Sequence, residues 1–507
     1  MFLRNRLASL QSSFLSQAMA SPDLESQSQP TEKSSFEEHE SFKVSFEPDD
    51  ANNPKNFTPI YKIWLVFQMS LLAMTGALGS SIISPASPKI AEYAGVSTEV
   101  TSLTVALFVL GWAFGPMIWA PISETYGRRL GMLPAMFILG LFSIGTATSK
   151  SATAIFLTRF FGGIFASAPI SNVPAALGDI FLPATRGNAM TFVSLCITGG
   201  PTIGPIVGSA LTVNDKLGWR WTEYIEAIIA FFLFGLCALC LPETYAPVLL
   251  KQKAQRLRKS TGDTRYWHPH EEEKISVHNV VTKHLARPLL MLFTEPMVTL
   301  IAIYASFTYS LIYLTLEVFP IVFSDDRHWG LVLSTLPFLS ILIGVLCAVF
   351  INFANQPRYK RAVKANQSKA VPEARLPPIF IGGVLLSIGL FWFGWTADPE
   401  YPWPSSVVAA GFIAAGFSVV FQQCLNFLVD TYGQFAASAV SANTILRSVF
   451  ACAMPIAARP MFENLGLGPA ASLLGGISCL ALPVPFLFMK YGQALRAKSR
   501  FAPGGDT

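Results

Sequence analysis

Charge is scarce in this sequence. Only 13% of its 507 residues are Asp, Glu, Lys or Arg, about half the roughly 25% usual in soluble domains. A soluble chain of this length would form two or three domains, each needing a charged surface, and too few charges exist to cover them. The net charge of +5 is too small for a nucleic-acid partner. Cysteine is also sparse. All seven (Cys196, Cys237, Cys240, Cys347, Cys424, Cys452, Cys479) sit in apolar runs, so no disulfide framework is implied. The Cys237-Ala-Leu-Cys240 spacing has no further Cys or His near it and reads as packed thiols, not a metal site. The six histidines (His39, His268, His270, His278, His284, His328) all fall in polar segments, so no histidine proton relay lies inside a membrane. No Walker loop and no Ser/His or Cys/His constellation is present. An enzyme is therefore not expected, nor a cofactor.

Apolar residues are plentiful: 52% of the chain, with 40 phenylalanines. They gather in runs at 63–87, 98–121, 131–149, 152–176, 188–211 and 221–241, then at 294–320, 330–353, 378–397, 405–428, 436–459 and 468–490. Each is near the ~20 residues a helix needs to cross a bilayer. Strands of a membrane barrel alternate over ~10 residues, and these runs do not. The expected fold is all-α, with twelve transmembrane helices in two six-helix halves.

Lys and Arg fix the expected orientation. With the N-terminus cytoplasmic, 28 lie inside and five (Lys89, Lys150, Lys216, Arg220, Arg327) outside, which the positive-inside rule favours strongly. The expected organisation is a disordered cytoplasmic arm over 1–60, a six-helix half over 61–241, a cytoplasmic loop over 242–292, a second half over 293–490 and a cytoplasmic tail over 491–507. The arm is Ser- and Glu-rich and without periodicity. Its first 22 residues carry Arg4 and Arg6, many serines and no acid, the composition of a mitochondrial transit peptide; a disordered tail is the other reading.

The halves echo each other. The fifth run has Asn188 followed by Pro201 and Pro205; the eleventh has Asn443 followed by Pro455 and Pro460. Basic segments follow the second run (Gly127, Arg128, Arg129) and the eighth (Arg358 to Arg361). A six-plus-six repeat points to a transporter whose halves rock about a central site.

Ala120-Pro-Ile-Ser-Glu124-Thr-Tyr-Gly127-Arg128-Arg129 resembles the signature G-x-x-x-D-R-x-G-R-R of the major facilitator superfamily, with Ala120, Glu124 and Thr125 as departures. The form looks like the fungal drug:proton antiporter family with twelve helices. Asn53 to Phe57 resembles its pre-helix motif, and Arg159-Phe-Phe-Gly162-Gly163 its fourth-helix motif. Gly200-Pro201-Thr-Ile-Gly204-Pro205 resembles its fifth-helix antiporter motif. Pro242-Glu243-Thr244-Tyr245 resembles the sixth-helix exit of polyamine and multidrug exporters, where sugar porters differ. The resemblance implies that Glu124, Gly127, Arg128 and Arg129 form a conformational latch, with Asp179 as an arginine partner. It implies that Gly200, Pro201, Gly204 and Pro205 seal the outer half against leakage.

Charges inside helices are costly and mark function by default. Four stand out: Arg159, Glu226, Glu317 and Arg447. The two acids and two bases could neutralise one another. Tyr309, Tyr313 and Glu317 share one stripe at four-residue spacing, a surface suited to organic cations or planar drugs. Gln422, Gln423 and Asn426 cluster in the tenth helix, Asn443 and Arg447 in the eleventh; they read as interhelical glue or as the lining of a large, mostly apolar cavity. If transport is proton-driven, a carboxylate must carry the proton, and Glu317 and Glu226 are the choices. The expected function is proton-coupled export of small amphipathic organic compounds by a monomer in the plasma membrane, both termini cytoplasmic. Its partners are the small-molecule substrate, protons and the lipid bilayer. The alternatives are a polyamine exporter, an uptake facilitator, and an internal membrane such as the vacuole or mitochondrion.

Overall fold

The computed structural model describes residues 41–271, 282, 286–366, 371–497, 499 and 501; the transit-peptide reading of residues 1–22 lies outside them. Twelve described helices are long and apolar enough to cross a membrane, the number of apolar runs. We label them α1 (Pro59–Gly79), α2 (Leu103–Tyr126), α3 (Arg128–Thr148), α4 (Ala152–Ile180), α5 (Pro183–Val213) and α6 (Arg220–Cys240). The second set is α7 (Pro296–Phe319), α8 (Phe338–Ala365), α9 (Leu376–Thr396), α10 (Trp403–Tyr432), α11 (Ala436–Leu465) and α12 (Leu467–Ala481, continued by Pro483–Ala497).

Local chemistry sets the ends. Pro59, Pro183 and Pro296 occupy first helical positions, where a missing N–H costs nothing and φ is already right. The Ser151 hydroxyl accepts from Ala154 N–H at 3.3 Å and opens α4, a side-chain cap. Gly127 alone separates α2 from α3, and its φ of 104° is one that L side chains rarely adopt.

The chain divides into two units. The larger comprises Phe46–Leu249 with Glu272–Thr507 and holds all twelve helices. In it α2 packs on α11 and α5 on α8. These two cross-half contacts are counterparts under the sequence repeat, as halves of one design require. The smaller unit contains Leu250–Glu271 and the described residues up to Ser45. There Val44 N–H donates to Trp267 O at 3.0 Å, and Trp267 N–H to Phe42 O at 3.2 Å. Arg265 lies over the Phe42 ring at 4.1 Å, and Arg258 pairs with Glu271.

Within the arm over 1–60, the described part carries the Phe42–Trp267 pairing and a turn of helix at Pro54–Asn56 capped by Asn53. The segment 242–292 contains helices at Ala246–Thr261 and Arg287–Thr294, both shorter than a membrane run. All seven cysteines are free, with Cys237 buried and Cys240 exposed.

Candidate functional site

The first concentration of charge lies within the α1–α6 half. Arg159 of α4 is 1% exposed, and every face of its guanidinium is used. Nε donates to Thr104 O in the first turn of α2 at 2.9 Å, and Nη2 to Gly79 O, the last residue of α1, at 2.7 Å. Carbonyls at the C-terminal end of a helix lack intrahelical partners and carry partial negative charge, so the end of α1 is a natural seat for a cation. Nη1 pairs with Glu223 Oε1 at 3.2 Å and lies 3.7 Å from Glu226 Oε2. The Phe108 ring covers the fourth face at 4.1 Å.

Glu223 is the member that sequence reasoning leaves out. It stands in the first turn of α6, beside Arg220 and Trp221, where a carboxylate reads as interfacial. Its signal was the three-residue spacing to Glu226, which puts both acids on one face. Neither Glu226 oxygen has a hydrogen-bond partner among the described residues. Its carboxylate fits because residue 79 is glycine: a Cβ there would sit 1.8 Å from Oε1.

The second concentration lies in the α7–α12 half. Arg447 of α11, 5% exposed, stacks over Tyr309 at 4.4 Å and reaches Phe421 at 5.3 Å. Tyr309 and Phe421 are themselves 4.9 Å apart, and Tyr309 and Tyr313 5.8 Å. Asn443, one turn before Arg447, is fully buried with both amide atoms unpartnered. The two concentrations meet through one residue. Arg159 Nη2 approaches Ser80 O at 3.4 Å, and the Ser80 hydroxyl is 3.1 Å from the Tyr313 hydroxyl.

Tyr309 and Tyr313 lie one turn apart on α7, and no ion pair joins Glu317 to Arg447 among the described residues. Glu317 is half-buried, and Arg459 pairs with Asp325 at 2.9 Å. The Tyr309 face expected to receive an organic cation is covered by Arg447. Tyr309, Tyr313, Asn443 and Arg447 are all buried. Gln423 serves elsewhere: its amide donates to Asn352 Oδ1 at 2.7 Å, Asn352 donates to Gln422, and Gln422 reaches Thr191 across the halves at 3.4 Å. Asn426 is half-buried and makes no side-chain hydrogen bond among the described residues.

At the helix ends nearer the termini, Arg128 Nε pairs with Asp179 Oδ2 at 2.8 Å, and Nη1 donates to Ser123. Glu124 is exposed. Glu243, quoted in a motif but given no role by sequence reasoning, accepts from the backbone N–H of Arg128 at 2.9 Å, Arg129 at 3.2 Å, and Thr244 and Tyr245 at 2.8 Å each. An anion there satisfies the free N–H groups of α3 and its dipole. A Cβ on Gly127 would lie 2.2 Å from Glu243 Oε2, so glycine is needed both for φ and for room. The counterpart in the second half is Arg375, at the start of α9, paired with Asp430 at 2.9 Å, with Tyr359 also on Asp430. Arg358 and Arg361, expected in the equivalent loop, lie within α8, which runs on to Ala365.

Gly200, Gly204 and Gly208 line α5 where it meets α1 and the residues that follow it. Added Cβ atoms would fall 2.8 Å from Leu78 N, 2.2 Å from Ser81 Oγ and 2.0 Å from Ile82 O. The small-residue face lets the two backbones touch.

The chain is similar to known proteins in sequence and in fold. The family described as Major Facilitator Superfamily matches residues 69–455. The efflux pump bik6 of Gibberella fujikuroi is 41% identical over 90% of this chain and 95% of its own length. The major facilitator superfamily multidrug transporter FLU1 of Candida albicans is 39% identical over 90% of this chain and 76% of its own. Among solved structures, the proton:xylose symporter XylE bound to 6-bromo-6-deoxy-D-glucose has a TM-score of 0.61 at 16% identity, covering 86% of this chain and 96% of that one. That likeness is one of fold.

Proposed function

The chain belongs to the Major Facilitator Superfamily, a family of transporters and not enzymes, and we propose that it exports small amphipathic organic compounds in exchange for protons. The observation that carries this reading is the link Glu226–Arg159–Ser80–Tyr313–Tyr309–Arg447, which joins a buried acid pair in one half to an aromatic, cationic centre in the other. One guanidinium balances one carboxylate, so the second carboxylate of the pair rests protonated and is the group whose proton can be exchanged. Glu226, without a hydrogen bond and farther from the guanidinium than Glu223, takes that role. When Glu226 is neutral, Arg159 rests on Glu223 and the end of α1; when it ionises, Arg159 is drawn to both acids. The end of α1 carries Ser80, so the shift reaches Tyr313 and the centre. Alternating access then couples proton entry to substrate exit.

The names of the relatives, an efflux pump and a multidrug transporter, support export as its direction. The basic bias supports cytoplasmic termini for this multi-pass protein, which we place in the plasma membrane. A polyamine would need several converging acids; the acids of the first half are engaged by Arg159 and the centre presents a cation, so that alternative is disfavoured.

The test is accumulation. In a host stripped of its own exporters, expression should lower the intracellular level of at least one compound in a labelled panel several-fold, and a protonophore should abolish the difference. Glu226→Gln should lose the protonophore-sensitive part while Glu317→Gln keeps it. Unchanged accumulation across the panel, or a rise, counts against export.

A further inference from the structure

Three arginine side chains are buried among the described residues: Arg128, Arg159 and Arg447. Arg128 has Asp179 and Arg159 has Glu223. Arg447 has no carboxylate and no hydrogen bond among the described residues, and its Nε is sealed from solvent without an acceptor. Its contacts are the ring faces of Tyr309 and Phe421. Ring faces offset part of a cation's cost but accept none of its five N–H groups. A buried charge lacking a counterion is strongly unfavourable. On the same face of α11, Asn443 offers an unpartnered amide. Trp112, edge-on to Tyr313 at 6.4 Å, has an unpartnered indole N–H. The Arg447 guanidinium, the Asn443 amide and the Trp112 indole thus present unpartnered N–H donors at the centre, the complement of an anion.

We infer that the transported compound is an aromatic molecule bearing a carboxylate, which the Arg447 guanidinium receives while the ring stacks among Tyr309, Phe421 and Trp112. The planar fork of arginine matches a carboxylate through two parallel N–H bonds, and Asn443 donates a third. This rests on the export reading above and deepens it by fixing the sign of the cargo. It reverses the organic-cation expectation drawn from the tyrosine stripe, because the cation-binding face is already occupied from within.

The experiment uses the full chain in lipid nanodiscs and three matched fluorescent probes: anthracene-2-carboxylate, its carboxamide and 2-(aminomethyl)anthracene. The carboxylate should bind at least about tenfold more tightly than the carboxamide, the size of one charge-assisted hydrogen bond, and the ammonium probe weakest. Arg447→Gln should bring carboxylate affinity down to that of the carboxamide and leave the carboxamide unchanged; Arg447→Lys should keep part of the preference. No carboxylate binding, equal binding of all three, or preference for the ammonium probe overturns the inference without needing any variant. So does an Arg447→Gln protein that loses carboxylate and carboxamide equally. The same probes in the accumulation assay separate the two readings. Carboxylate bound but never exported supports the site and removes the export function. Export of the ammonium probe alone removes the site and leaves export standing.

Discussion

Arg159 is held by the carbonyls of Thr104 and Gly79, two carboxylates and a ring, so the consequence of losing it depends on what remains. Removing one partner of a buried pair costs about 3–5 kcal/mol, because the other charge is stranded. Arg159→Met leaves two acids facing each other and should reduce folded yield sharply. Adding Glu223→Gln and Glu226→Gln removes the stranded charges, so the triple variant should recover yield and thermal stability while remaining inactive in export. Monodispersity on size exclusion and the melting temperature of the purified variants read this out; a triple variant no more stable than Arg159→Met would argue that the arginine's packing, not its charge, is what matters. Arg159, Glu226 and Arg447 were legible in the sequence because a charge inside an apolar run is conspicuous. Their partners were not. A helix face can be read from spacing, but which neighbour it meets depends on packing, and Glu223 was hidden by its place in a first turn.

At the scale of the element, the one-residue joint at Gly127 works because Glu243 arrives from beyond α6 to cap α3. Glu243→Ala should cost roughly 1–2 kcal/mol of stability, the range of a lost helix cap with its dipole term. Because the cap ties the exit of α6 to the joint between α2 and α3, it should also lower the maximal export rate more than the apparent substrate affinity. Initial-rate export across substrate concentration, together with thermal unfolding, checks both; a pure affinity loss would place Glu243 outside the switching machinery. The motif around Glu243 was visible in the sequence, yet its role was not, since the bonds it makes to Arg128 and Arg129 span over a hundred residues. Helix number was legible for a simpler reason: hydrocarbon thickness sets a minimum apolar length. Helix ends were less so, because helices such as α8 continue into polar sequence once past the membrane, carrying Arg358 and Arg361 with them.

At the scale of the whole bundle, the halves touch on both sides of a buried centre. On the side away from the termini, the Ser209 hydroxyl lies 2.8 Å from that of Thr335 at the short helix Leu331–Thr335. On the other side Gln422 meets Thr191. Under the proposed transport each contact breaks in turn, so that a substrate reaches Arg447 from one face and leaves by the other. A covalent tie across one of them should therefore stop turnover without touching the site. Ser209→Cys with Thr335→Cys, oxidised in membranes, should reduce export to background, and a reducing agent should restore it. The parent chain, whose seven free cysteines experience the same oxidant, is the control. Binding of the anthracene carboxylate should survive the tie provided Arg447 stays reachable from the face near the termini. Undiminished export by the oxidised pair, with the crosslink shown by mass spectrometry, would mean that the Ser209–Thr335 side never opens and that the halves do not alternate about Arg447.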